Sequence, residues 1–119
     1  MKRYTQRQLT EIFCAQAGEP YSHYFQKSWW VNPLDSDSLR LTLAGLQFVK
    51  ANLQLESYEF KLPEELSNHN LLQLERYLAG PYYLLKRSKI IVFEEQEALM
   101  LTLYSGNLKA YLDSIESVN

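Results

Sequence analysis

Two histidines and one cysteine are the whole supply of residues for nucleophilic or metal-assisted chemistry in this chain. A Ser, Thr or Cys nucleophile needs a base beside it, and only His23 and His69 are of that kind. Cys14 stands among Ile12, Phe13, Ala15 and Ala17, surroundings that read as a small buried core residue rather than a thiolate. His69 follows Ser67 in the first turn of a helical pattern and reads as a solvated or capping group. His23, in an aromatic stretch, reads as a packed or exposed ring. A structural zinc requires paired ligand spacings, and no C-x-x-C or H-x-x-x-H occurs. Asp35 and Asp37 open like a calcium loop, but Leu39, Arg40 and Leu46 then stand where a further oxygen ligand, a sharply turning glycine and a bidentate glutamate belong. Gly18, Gly45, Gly80 and Gly106 are too far apart to cradle a phosphate. Glu94, Glu95 and Glu97 sit where a helix N-terminus welcomes negative charge, which explains them without acid/base work. The sequence therefore predicts no enzyme: no catalytic residue, metal, cofactor or small-molecule substrate.

Two features point to binding instead. Tyr21, Tyr24, Phe25, Trp29 and Trp30 crowd into ten residues, and such rings either fold back over a sheet as core or stay exposed as anchors for a partner. They are the candidate partner-binding residues, and a symmetric homodimer would satisfy both readings. From Gly80 to Phe93 the chain carries Lys86, Arg87 and Lys89 and no acidic residue. A hairpin tip that touches nucleic acid would look like this, and so would an edge hairpin that uses cations to avoid sticking to other strands.

The elements that must position these groups follow from periodicity. Thr5 and Gln8 have the capping-box spacing, Leu9, Ile12 and Phe13 recur at helical intervals, and Gly18 stops the run, giving a helix over 5–17. Residues 19–37, broken by Pro20 and Pro33, form an irregular aromatic arm. Leu39, Leu41 and Leu43 alternate with polar residues as a strand over 39–43. That strand runs into a helix through Leu46, Val49 and Leu53, with Thr42 placed to cap it and Gly45 allowing another backbone close. Tyr58, Phe60 and Leu62 mark a strand over 57–62. Leu71, Leu74 and Leu78 mark a helix over 68–79, ended by Gly80-Pro81. Runs 82–86 and 89–93 predict a hairpin, although its turn lacks the usual Gly or Asn. Short helices over 98–104 and through Leu108, Tyr111, Leu112 and Ile115 finish the chain.

The fold class is α+β: a mostly antiparallel sheet of three to four short strands with about five helices. The whole forms one domain, with helix 5–17, the arm 19–37 and a body 38–117. The bulk properties agree. At 119 residues, 46% of them hydrophobic, the chain can bury a core. Its formal charge of −2, from 12 basic and 14 acidic residues, is not the field of a protein that tracks phosphate over its whole surface. The longest uncharged run, Ala98 to Leu108, is well short of the ~20 residues that span a bilayer. A single cysteine, a polar start without a signal-peptide core and no Asn-x-Ser/Thr site together predict a cytoplasmic protein without membrane partners.

Two blocks also resemble a known group. LRLTLAGLQFVKANLQLESYEFKLPEELSNHNLLQLERYL, residues 39–78, and PYYLLKRSKIIVFEEQEALMLTLYSGNLKAYLDSIE, residues 81–116, are similar to small uncharacterised proteins encoded by large tailed phages of marine bacteria. The resemblance implies a viral gene product working in an infected bacterial cytoplasm, and it carries no activity or site residue. LRLTLAG and YYLLKRSKIIVF also imitate the strand-to-helix phrase and wing hairpin of winged-helix proteins, which is the alternative fold. That fold needs two adjacent helices before the wing, where this sequence predicts one. The functional expectation is a non-catalytic interaction protein, a phage accessory factor that binds a protein partner or itself. The alternative is DNA binding through Lys86, Arg87 and Lys89.

Overall fold

The computed structural model describes residues 4–20, 29–31, 38–62 and 64–104. The chain is one small α+β domain. Its elements in chain order are α1 (Gln6–Ala17), α2 (Leu43–Asn52), β1 (Tyr58–Lys61), α3 (Asn68–Tyr77), β2 (Tyr82–Leu85), β3 (Lys89–Val92) and α4 (Glu95–Tyr104). Four helices and three strands stand among the described residues, where about five and three to four were expected. The stripe Leu108 to Ile115 lies outside them.

The helix ends form where the side chains satisfy them. Thr5 Oγ1 accepts from the Gln8 amide at 3.1 Å while Gln8 Oε1 accepts from the Thr5 amide at 2.9 Å, the reciprocal box that the spacing predicts. Gly18 closes α1 in the left-handed region at φ 71°. Thr42 Oγ1 takes the Gly45 amide at 3.2 Å, and Ser67 Oγ takes the Asn70 amide at 3.1 Å. Thr42 also explains why the expected strand over 39–43 is shorter. Once its hydroxyl caps α2, extended pairing survives only as isolated bridges at Arg40 and Leu41.

The sheet order is β1-β3-β2, antiparallel throughout. Tyr58, Val92 and Tyr82 line up across it, as do Phe60, Ile90 and Leu84. These side chains share one face, which faces Leu71, Leu74 and Leu78 of the α3 region and Ala98, Met100 and Leu101 of α4 in the first core cluster. Beyond β2 the sheet is extended by backbone alone. The Tyr82 amide donates to Leu39 O at 3.2 Å and Leu41 donates to Tyr82 O at 2.7 Å, while Val31 and Thr42 amides pair with Arg40 O and Trp29 O. This extension carries the second core cluster, built from Leu9, Phe13 and Cys14 of α1, Phe48 and Val49 of α2, and Trp29, Trp30, Leu39, Leu41 and Leu53.

One helix, α3, lies between β1 and β2 among the described residues. The two adjacent helices that a winged helix needs are not formed, because residues 64–67 approach the hairpin as an extended loop. In that loop the Leu66 amide donates to Arg87 O at 2.9 Å.

Candidate functional site

Trp29 and Trp30 are 2% and 5% exposed. Trp29 stacks on Phe48 with centroids 4.2 Å apart and Trp30 on Phe13 at 6.3 Å. The Trp30 indole N–H donates to Thr10 Oγ1 at 2.9 Å, and that hydroxyl donates in turn to Gln6 O at 2.7 Å. Both rings are core. This corrects the expectation that they anchor a partner, and the physical reason is that α1 and α2 supply aromatic faces and a buried acceptor that complete their surroundings. The Trp29 carbonyl passes so close to Gly45 that any Cβ there would strike it, which is the close backbone approach that Gly45 was expected to serve. Tyr21, Tyr24 and Phe25, the other members of the set, lie outside the described residues.

The basic hairpin is tied inward. Lys89 Nζ meets Glu59 Oε1 at 2.5 Å across β1 and β3, and the Arg87 guanidinium donates to the Asn68 side chain at the start of α3. Lys89 holds the Glu59 carboxyl below its ordinary range, chiefly through that hydrogen bond. The loop after β1 clasps the tip as well, with the Leu62 amide donating to Ser88 O at 2.6 Å. Of the three expected nucleic-acid contacts, only Lys86 has no such partner among the described residues.

The turn itself is strained. Lys86 and Arg87 have φ of 52° and 59°, and the Ser88 amide closes on Leu85 O at 3.2 Å, so a type I′ turn forms from two long side chains where Asn-Gly is preferred. Pairing of the flanking strands overrides local preference here. Replacing Lys86 by Asn and Arg87 by Gly together is expected to stabilise the chain by about 1 kcal/mol, since relief at both positions exceeds the loss of one exposed contact to Asn68. A rise in the urea midpoint at unchanged slope checks this.

The remaining candidates have structural explanations. Cys14 is buried, and burial together with nearby Glu19 pushes its thiol upward, away from the thiolate that chemistry would need. His69 is exposed at the start of α3; His23, Asp35 and Asp37 lie outside the described residues. No group of three His, Cys, Asp or Glu able to hold a metal ion occurs among the described residues. Glu97, which the sequence assigns only to the charge of a helix start, has a partner that the sequence reading missed. Its Oε2 accepts from the backbone amides of Ala79 and Gly80 at 2.6 and 3.1 Å and ties α4 to the turn before β2. A Gly-Pro turn whose amides need an acceptor was the available signal. Tyr82, 1% exposed, has its phenol pushed far above the usual range by burial, with the Glu75 carboxylate adding to it, so it stays protonated. A shallow cleft of about 370 Å³, at the C-terminal ends of α1 and α2, is lined by Gln16, Asn52, Leu53, Gln54 and Leu55 and holds no ionisable group.

Among the described residues, what remains open is the outer edge of β1. Leu62 donates to Ser88 O, so the alternation of an antiparallel pair turns Tyr58, Phe60 and Leu62 inward to β3 and leaves the amides and carbonyls of Glu59 and Lys61 pointing outward. No described strand pairs with them. Among the described residues no helix is long and apolar enough to cross a membrane. No family model matches this chain, and neither the curated proteins nor the solved structures contain a match to it.

Proposed function

We propose that the chain is a non-catalytic interaction protein, a phage-encoded accessory factor of the infected bacterial cytoplasm, which binds a protein strand, a partner's or its own. The observation that carries this reading is the outer edge of β1, which no described strand pairs and whose outward backbone groups at Glu59 and Lys61 are a template for strand addition. With Trp29 and Trp30 consumed by the core, this edge takes over the role first given to the aromatic arm.

DNA binding through Lys86, Arg87 and Lys89 is the second reading. The left-handed turn favours it, because two basic residues are kept where Asn-Gly would be easier, and strain of that kind collects at functional positions. Against it, Lys89 is neutralised by Glu59 and Arg87 is held by Asn68. Duplex DNA titrations at low and moderate salt separate the two. Wild type is expected to bind negligibly, and changing Lys86 and Arg87 together to Glu, which leaves the Glu59–Lys89 pair intact, is expected to leave protein association unchanged. Tight, salt-sensitive retention that this double change abolishes would install the second reading.

A further inference from the structure

The sequence of β1 alternates charge on one side, Glu59 then Lys61, with Phe60 between them on the core side. Within the sheet Glu59 has its cation in Lys89, whereas Lys61 stands directly across from that same Lys89, a like-charge pair. Lys61 has no ion-pair partner among the described residues, and its open side faces away from β3. An acidic residue arriving on that side would answer it.

A second copy of this chain brings one in register. If two β1 strands meet antiparallel about Phe60, Glu59 of each falls opposite Lys61 of the other. Those are also the two residues whose amides and carbonyls point outward, so each opposed pair can exchange both backbone hydrogen bonds. A parallel arrangement offers no such two-fold exchange, and shifting the antiparallel register by one residue sets outward groups against inward ones. Pro63 has no N–H with which to carry the pattern further. We infer that the outer edge of β1 is a homodimer interface, in which two copies pair antiparallel about Phe60 and join their sheets into one.

This deepens the strand-binding reading above by naming the strand. The contact is isologous, as closed dimers require. It is short, below the standard interface of ~1,600 Å², so dissociation is expected on the order of tens of micromolar and the dimer weakens with salt.

Sedimentation of the full chain from about 5 to about 500 μM tests it. Wild type is expected to shift from monomer to dimer across that range, and amide exchange at Glu59 and Lys61 is expected to slow as concentration rises. Glu59→Lys and Lys61→Glu each set like charges face to face and should remain monomeric. Mixed one to one, they place two glutamates against two lysines and should form a heterodimer. Lys61→Pro removes an outward N–H that no described strand uses and should abolish pairing while leaving circular dichroism unchanged. Wild type that stays monomeric at the highest concentration overturns the inference, as does a dimer indifferent to these changes or a mixture that stays monomeric. Glu59 and Lys61 amides protected equally at every concentration would mean that the chain covers its own edge, which overturns it too. A monomeric wild type that binds a foreign extended peptide, with loss in Lys61→Pro, refutes self-pairing while upholding the broader function.

Discussion

Changing Trp29 and Trp30 together to alanine unfolds the protein. Each ring is sealed, one against Phe48 and the other against Phe13, and the Trp30 N–H also donates to the buried Thr10 hydroxyl. Truncating a buried Trp costs about 3–5 kcal/mol. Two neighbouring losses in one cluster, about 6–10 kcal/mol together, are therefore comparable to the whole stability of a typical domain, ~5–15 kcal/mol. The far-ultraviolet circular dichroism of the double variant should be that of a largely unfolded chain at 25 °C. Trp30→Phe, which keeps the stacking and drops the indole N–H, should fold at a cost of about 1–2 kcal/mol. A double variant that stays folded and merely loses association would return the pair to the surface.

Glu97→Ala carries the second large effect. The carboxylate accepts two backbone amides in a buried turn, and the truncated variant leaves the Ala79 and Gly80 donors without that acceptor. Hydrogen bonds to a charged group are worth ~1.5–3 kcal/mol, and abandoned buried donors add their own desolvation, so a loss of about 3 kcal/mol is expected. Glu97→Gln retains a carbonyl acceptor and should cost about 1 kcal/mol. Urea denaturation gives both values, and faster amide exchange confined to Ala79 and Gly80 would locate the loss at the turn. An alanine variant as stable as wild type would remove Glu97 from the account of how α4 is held.

Trp29, Trp30 and Glu97 show what a sequence exposes and what it hides. Local signals were legible: Thr5 with Gln8, Gly18 and Thr42 ended helices where their spacing said they would, because a cap is settled within four residues. The period of two in Tyr58, Phe60 and Leu62 identified the core face of β1. The aromatic arm was ambiguous since a tryptophan is equally at home in a core and an interface. Only the arrival of Phe13 and Phe48 from two separate helices decides between them. The basic triplet was ambiguous in a similar way. Its charge looked uncommitted along the chain, yet the β1–β3 register brings Glu59 to Lys89 and the α3 start brings Asn68 to Arg87. The left-handed turn at Lys86 and Arg87 contradicts local preference, so no propensity could announce it; strand pairing on both sides imposes it. The outer edge of β1 became visible only with the strand order, which no single segment encodes.

Association through a strand edge, rather than through exposed tryptophans or a cationic tip, is the centre of this account. The most direct measurement is amide exchange of this chain, followed residue by residue along β1 before and after saturation with whatever protein strand it takes, its own at high concentration or a partner's. The account predicts that the Glu59 and Lys61 amides slow on association while those of Tyr58 and Phe60, already bonded to β3, change little. Protection that appears instead at Lys86 and Arg87 on adding DNA, with Glu59 and Lys61 unmoved by any protein, would contradict it.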